Sequence, residues 1–145
     1  MRYKSVIVPR RGSPEVLQLV ENDLRAPLTG EVRVKILATS VCQDDIAARI
    51  GNRPGPFLPK LPFVPGYAIL GLVDAVGEGV TEVSVGDRVA ALTRVDGYAE
   101  YIFLGQQRLL HVPATLDPAE AVTLILNYAV AYQALYRCVE VKAGD

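Results

Sequence analysis

The sequence predicts a mainly β domain with a few helices, in which a strongly curved barrel precedes a helical C-terminal segment. Short runs rich in β-branched residues fill the chain up to about residue 113. Glycines recur where these runs end or bend, at positions 71, 77, 79, 86, 97 and 105. The run from Asp117 to Val139 is instead rich in Ala and Leu, which favours helix.

Length and composition narrow the class of protein. The chain has 145 residues, of which 50% are apolar and 21% charged, so a single folded domain is expected. A net charge of −1 without a basic block argues against nucleic-acid binding. No apolar run is long enough for a membrane span, and residues 1–12 do not predict a secretory signal. Two cysteines without a C-x-x-C motif suit a reduced, cytoplasmic setting.

The first predicted elements are strands. Two β-rich runs, 3–9 and 15–23, flank a turn cluster at 11–14. The run 31–41 then alternates strictly between apolar and charged residues at its start, and it is the clearest strand of the chain. Its inward face is formed by Val32, Val34 and Ile36.

A short helix is predicted directly after this strand. Ser40 is expected to cap it, and Gly51 to end it. Asp44 and Asp45 fall in its first turn, where negative charge favours the helix dipole. Arg49 follows Asp45 by four residues, a spacing at which the two side chains could pair.

A stiff loop and further strands follow. Five prolines between residues 52 and 66 exclude regular structure there. The remaining predicted strands are 67–77, a turn and strand within 78–92, 97–105, and a short one at 108–113.

The C-terminal segment carries helix signals. Asp117 is a suitable N-cap, with Pro118 at the first helical position and Glu120 at the third. Asn127 interrupts the pattern, so two helices or one bent helix are both compatible with it.

The mean hydropathy of +0.24 is high for a small solitary domain, which predicts an exposed apolar face along 117–139 and near Cys42.

Three motifs, at 40–51, 76–89 and 96–101, occur in an order and spacing that resembles the N-terminal half of the medium-chain dehydrogenase/reductase superfamily. Within it, the chain most resembles the zinc-independent quinone oxidoreductase branch. The resemblance covers residues 1–145 and implies a GroES-like catalytic domain, a bent β-barrel whose C-terminal helices lead toward a Rossmann nucleotide-binding domain. That second domain is not expected in this chain, because no G-x-G-x-x-G occurs.

The resemblance also implies that no zinc is bound. Zinc-dependent relatives use a cysteine after the alternating strand and a Gly-His-Glu at the next strand. Cys42 matches the cysteine, but Tyr67 and Ala68 stand where histidine and glutamate would be, and one ligand does not hold zinc. Only residues 93–96 occupy the place of the four-cysteine structural zinc loop. The only histidine, His111, is expected to be a strand-end residue rather than a ligand or base.

Three residues are candidate catalytic residues by the same resemblance. Tyr67 could offer its hydroxyl to a substrate carbonyl, or could be a half-buried strand tyrosine. Cys42 stands where the branch often has asparagine, and could line the pocket or act as a reactive thiol. Asp45 could be an acceptor behind the substrate pocket or a helix N-terminal charge.

The candidate cofactor-binding residues are Cys42, Asn127, Tyr128 and Val130. The last three lie in 126–132, which matches the segment that reaches the nicotinamide in quinone oxidoreductases. Val130 replaces the threonine that is usual there. NADPH is expected in preference to NADH, on the resemblance to this branch alone.

The resemblance implies the substrate-side domain of a reductase that transfers hydride to a quinone or an activated C=C or carbonyl compound, inactive as this fragment. Its partners would be that small molecule and the missing Rossmann domain, and the parent could form a homodimer. Two alternatives stay open: a stand-alone GroES-like binding module without activity, and an enoyl-reductase domain of a fatty-acid or polyketide assembly line.

Overall fold

The computed structural model describes residues 1–139, 141, 142 and 144. Two antiparallel sheets form its body. A two-stranded sheet pairs β1 (Arg2–Ile7) with β2 (Gln18–Asp23). The five-stranded sheet contains β3 (Glu31–Thr39), β4 (Ala68–Val76), β5 (Arg88–Leu92), β6 (Tyr101–Gly105) and β7 (Leu110–His111), in the order β6-β3-β4-β5-β7. The predicted mainly β architecture is confirmed.

Strand β3 is an interior strand of the larger sheet, and its pairing with β4 is irregular. Its inward residues Val32 and Val34 are fully buried between β4 and β6. The pairing with β4 shifts register at two points along β3, and such irregularities bend a strand and increase its twist. At Gly71 on β4, a Cβ atom would lie 2.3 Å from the Lys35 carbonyl oxygen, so only glycine permits this close approach.

One difference from the predicted strands concerns the run at 15–23. Residues Pro14–Val16 form a 3-10 turn, and the strand begins only at Gln18. Proline at the first position of this turn needs no backbone N–H there. The predicted proline loop is irregular except for one 3-10 turn at Gly55–Phe57.

Helix α1 (Gln43–Ile50) follows β3 and ends at Gly51, whose φ of +86° terminates it as predicted. Two predictions about this helix are wrong. The N-cap is Cys42 rather than Ser40: the Asp45 carboxylate, in the first turn of the helix, accepts a hydrogen bond from the Cys42 N–H. Arg49 does not pair with Asp45; its guanidinium donates to the carbonyl oxygen of Gly12.

The C-terminal segment is one continuous helix. It consists of α2 (Pro118–Thr123), a π-helical turn (Leu124–Tyr128), α3 (Ala129–Gln133) and a second π-helical turn (Ala134–Cys138). The backbone stays right-handed helical across each junction. Of the two predicted alternatives, the single helix is therefore the one found, with Asn127 inside the first π-helical turn. π-helical turns are a common cause of helix bending.

The start of this helix is anchored to the sheet. Asp117 caps it, accepting hydrogen bonds from the N–H groups of Ala119 (2.8 Å) and Glu120 (3.1 Å). One apolar cluster joins α2 to β4 and β5, and it contains Ala68, Leu70, Ala90, Ala121 and Val122. Among the described residues, no helix has the length and apolar character that crossing a bilayer requires.

Candidate active site

A buried carboxylate, Asp45, organises the corner between α1 and β4. Its Oδ1 atom accepts from the Gly66 N–H at 2.9 Å. Its Oδ2 atom accepts from the Cys42 N–H at 3.0 Å, the Cys42 thiol at 3.2 Å and the Tyr98 hydroxyl at 3.3 Å. Only 5% of Asp45 is exposed. Because four donors satisfy the carboxylate, it links the helix, the Pro-Gly corner and the loop before β6.

This geometry combines the two roles considered for Asp45. It accepts the N-cap N–H of α1, as a charge at a helix start does, and it also lies behind the corner as a buried acceptor. Sequence reasoning missed Tyr98, although it lies in the 96–101 motif. Burial raises the pKa of the Tyr98 hydroxyl, and the Asp45 charge and hydrogen bond raise it further, so Tyr98 stays a neutral donor.

Cys42 is a buried neutral thiol. Burial raises its pKa to about 11, and the Asp45 carboxylate, which accepts the thiol proton, adds to the effect. The thiolate is the nucleophilic form, and little of it exists at neutral pH in this environment. The geometry favours a small, packed residue over a reactive thiol.

The corner itself leaves no room for side chains. Gly66 has a φ of +110°, and a Cβ atom there would lie 2.4 Å from the Gly97 Cα atom. The Thr93 hydroxyl donates to the Gly66 carbonyl oxygen at 2.7 Å. Two glycines therefore let the chain segments before β4 and before β6 cross in backbone contact. This crossing determines where Tyr67, the next residue, is held.

Tyr67 is half-buried and lies beside Arg53. The guanidinium carbon of Arg53 is 5.3 Å from the centre of the Tyr67 ring, and the guanidinium also donates to Asp44. Partial burial lowers the pKa of Arg53, but its interactions with Tyr67 and with the Asp44 carboxylate outweigh the burial and raise the pKa. A permanent positive charge thus lies next to the phenol. Sequence reasoning missed Arg53, because nothing in a proline-rich loop signals which residue its side chain reaches.

The candidate cofactor residues on the C-terminal helix are exposed. The exposed fraction is 63% for Tyr128 and 59% for Val130, and Asn127 is exposed beside them. Of these three residues, Tyr128 lines an open groove of about 460 Å³, together with Ala129, Tyr132, Gln133 and Arg137. Within the described residues, no hydrogen bond, ion pair or ring contact joins Asn127, Tyr128 or Val130 to Cys42.

The residues considered as metal ligands lie apart. His111 is exposed at the end of the sheet, with its Nε2 atom 3.2 Å from the Glu82 carbonyl oxygen. Ala68, in the position of a zinc-binding glutamate, is fully buried at the start of β4. In the part of the chain that the structure describes, no group of three or more His, Cys, Asp or Glu residues could hold a metal ion.

Comparison with known proteins is consistent with this architecture. A family profile for the alcohol dehydrogenase GroES-like domain matches residues 29–114. A quinone oxidoreductase from Lama guanicoe is 34% identical over 145 residues, covering 98% of this chain and 43% of the relative.

Two solved structures show the same fold. The human synaptic vesicle membrane protein VAT-1 homolog-like protein superposes with a TM-score of 0.88 at 27% identity, covering 98% of this chain and 45% of that one. The Escherichia coli quinone oxidoreductase complexed with NADPH has a TM-score of 0.86 at 28% identity, covering 96% and 42%. The chain spans less than half the length of these relatives. It belongs to the alcohol dehydrogenase GroES-like domain family of the medium-chain dehydrogenase/reductase superfamily.

Proposed function

We propose that this chain is the substrate-side domain of an NAD(P)H-dependent oxidoreductase that reduces small quinones or activated C=C and carbonyl compounds without zinc. Family membership and the quinone oxidoreductase relatives support an oxidoreductase parent. The observation that carries the proposal is the Tyr67 phenol held beside the Arg53 guanidinium, next to a rigid corner.

This pair has the chemistry that such a reduction needs. Negative charge develops on the substrate oxygen as hydride adds, and a preorganised donor with nearby positive charge stabilises it. Tyr67 would donate its hydroxyl to that oxygen, and Arg53 would supply the positive charge. Asp44 orients the guanidinium, while Asp45 keeps the backbone before Tyr67 in place through Gly66.

Asn127, Tyr128 and Val130 are the residues proposed to contact the nicotinamide ring. Tyr128 and Val130 are exposed on different faces of the helix, and the Asn127 amide could bond a carboxamide. NAD(P)H, when bound, supplies the hydride. NADPH is the proposed form, because the E. coli relative was solved with it.

A second domain would complete the enzyme. Beyond the first π-helical turn, the C-terminal helix exposes large apolar residues that include Tyr132, Leu135 and Tyr136. This face suits the docking of a Rossmann domain, as the relatives' greater length suggests. The 145-residue chain alone would then be inactive. We further propose a cytoplasmic, homodimeric parent.

The test is NADPH oxidation by the full-length protein with 1,4-benzoquinone and with methyl vinyl ketone, before and after treatment with a zinc chelator. The proposal expects turnover that the chelator does not change, and none from residues 1–145 alone. Turnover lost on chelation would contradict the zinc-independent mechanism. An inert full-length protein would point instead to a binding module.

A further inference from the structure

A second cavity lies between the proline loop and the residues after β5, and Arg53, the neighbour of Tyr67, lines it. Its volume is about 480 Å³. Two aromatic rings, Phe57 and Phe63, form part of its wall, and four basic side chains line it: Arg53, Lys60, Arg94 and Arg108. No acidic side chain is among the described residues that line it. The cavity is therefore both apolar and strongly positive.

Nearby acids neutralise only part of this charge. Asp44 pairs with Arg53. Asp96 lies near enough to Arg108 for their charges to interact, and Arg108 also donates to the Thr93 carbonyl oxygen at 3.3 Å. Among the described residues, Lys60 and Arg94 form no ion pair. Two cations, Lys60 and Arg94, thus line the cavity with no ion-pair partner in the described part of the chain.

The position of Arg94 is set by an unusual backbone. Its φ is +70°, in the left-handed region that few residues other than glycine adopt. The N–H groups of Thr93 and Arg94 both donate to the Tyr67 carbonyl oxygen, at 2.8 and 3.2 Å, and hold this turn. The guanidinium then lies 5.7 Å from the centre of the Phe57 ring. Backbone strain of this kind concentrates at functional sites.

We propose that this cavity is an anion-binding subsite, which takes the carboxylate or phosphate group of an aromatic or unsaturated substrate. Guanidinium and ammonium groups bind both anions, and the rings of Phe57 and Phe63 suit a flat apolar body. Arg53 lines the cavity and also contacts Tyr67, so the subsite is continuous with the proposed reaction site. The proposal rests on the proposed function for its substrate class: a quinone or enone that carries an anionic group.

Binding is tested first without turnover, on the full-length protein at low salt. Titrations with benzoate, phenyl phosphate and neutral benzamide are followed by calorimetry. We expect benzoate and phenyl phosphate to bind more tightly than benzamide and to weaken as salt rises, and the tighter of the two identifies the anion. Equal binding of benzoate and benzamide would overturn the proposal.

Variants assign the binding to this cavity. The double variant Lys60→Gln/Arg94→Asn should weaken benzoate binding by about three- to tenfold, since exposed charges each contribute modestly. Asparagine tolerates the left-handed backbone at position 94. The exposed strand residue Lys35 offers a matched control, and Lys35→Gln should leave binding unchanged. If the double variant unfolds, the single variant Lys60→Gln, in the exposed loop, replaces it in this test. Unaltered benzoate binding in that variant would count against the proposal.

Kinetics separate this proposal from the proposed function. A carboxylate-bearing enone is compared with its methyl ester as substrate for NADPH oxidation. The double variant should lower kcat/KM about three- to tenfold for the acid only. If the double variant changes kcat/KM equally for the acid and its methyl ester, or changes neither, the subsite proposal is wrong and the reductase proposal is unaffected. The opposite outcome is also distinguishable. If the double variant weakens benzoate binding but the full-length protein oxidises no NADPH, the subsite is supported and the proposed function is wrong.

Discussion

The Oδ1 atom of Asp45 accepts the Gly66 N–H at 2.9 Å, joining helix α1 to the corner that precedes β4. The same carboxylate holds Cys42 and Tyr98 on its other oxygen. One buried acid therefore fixes the helix, the corner and the next loop relative to one another. The position of Tyr67 depends on this arrangement, because Gly66 directly precedes it.

Asp45→Asn should lower the free energy of unfolding by about 2–4 kcal/mol, because the new amide turns a donor toward N–H groups that need acceptors. The change in volume is negligible, so the effect reports hydrogen bonding. Urea denaturation measures it. Asp23→Asn, at a side chain that is 97% exposed, is the matched control and should cost less than about 0.5 kcal/mol. Equal effects at both positions would contradict the role given to Asp45.

Gly66→Ala should destabilise the fold by more than about 3 kcal/mol, since its Cβ atom would lie 2.4 Å from the Gly97 Cα atom. Gly79→Ala separates this clash from backbone strain: Gly79 also has a positive φ, of +79°, but open space around it. We expect it to cost about 1–2 kcal/mol. Thermal unfolding of both variants checks the difference, and a Gly66→Ala protein as stable as Gly79→Ala would show that the corner can relax.

Cys42 should resist alkylation by iodoacetamide at pH 8. A pKa of about 11 in place of 9.0 leaves about 100-fold less thiolate at that pH. The rate should rise about tenfold per pH unit until the pH approaches 11. Mass spectrometry of the modified peptides follows it, with the exposed Cys138 as internal reference. Fast modification of Cys42 at pH 8 would show that the thiol is not buried as described.

The same shift has a consequence for stability. The pKa of Cys42 is higher in the folded than in the unfolded protein. The contribution of the buried thiol to the free energy of unfolding is therefore fully present below pH 9. It is lost as the pH rises toward 11, because in this range the thiol ionises in the unfolded chain but not in the folded one. Urea midpoints of the wild type and Cys42→Ala, measured across this window, should converge as pH rises. Parallel curves would contradict the raised pKa.

Tyr67→Phe should lower kcat of the full-length enzyme by about ten- to a hundredfold with 1,4-benzoquinone, because it removes the donor to the developing oxyanion. The KM should change less, since the ring remains. Tyr3→Phe removes a hydroxyl elsewhere, from a ring stacked edge-on against Tyr101, and should leave kcat unchanged. An unaltered kcat in Tyr67→Phe would remove this residue from the mechanism.

The 145-residue chain should bind a hydrophobic dye and self-associate at high concentration through its C-terminal helix. Val130→Glu, at a residue 59% exposed on that helix, should reduce both effects. Leu28→Glu, at a loop residue 62% exposed, should reduce neither. A chain that binds no dye and stays monomeric would show that this face needs no partner.

The sequence by itself determined the features that depend on near neighbours. The alternation of 31–41 predicted β3, and Asp117 with Pro118 predicted the helix start, and the structure contains both. The motifs at 40–51, 76–89 and 96–101 were sufficient to predict the protein family, which the family profile confirms. At α1 the predicted Ser40 cap was wrong although the Cys42–Asp45 cap is a local contact, and the predicted Asp45–Arg49 pair was wrong because Arg49 contacts the distant Gly12.

Only the tertiary structure decided the chemistry of the candidate site. Asp45 gathers donors from 21 and 53 residues away, at Gly66 and Tyr98. Arg53 lies against Tyr67, and a second cavity collects cations from separate loops. Hydrophobic periodicity reports which face of an element is buried, but it carries no information on which distant loop supplies a partner. That pairing follows from how the sheet bends and where the glycines let the backbone cross.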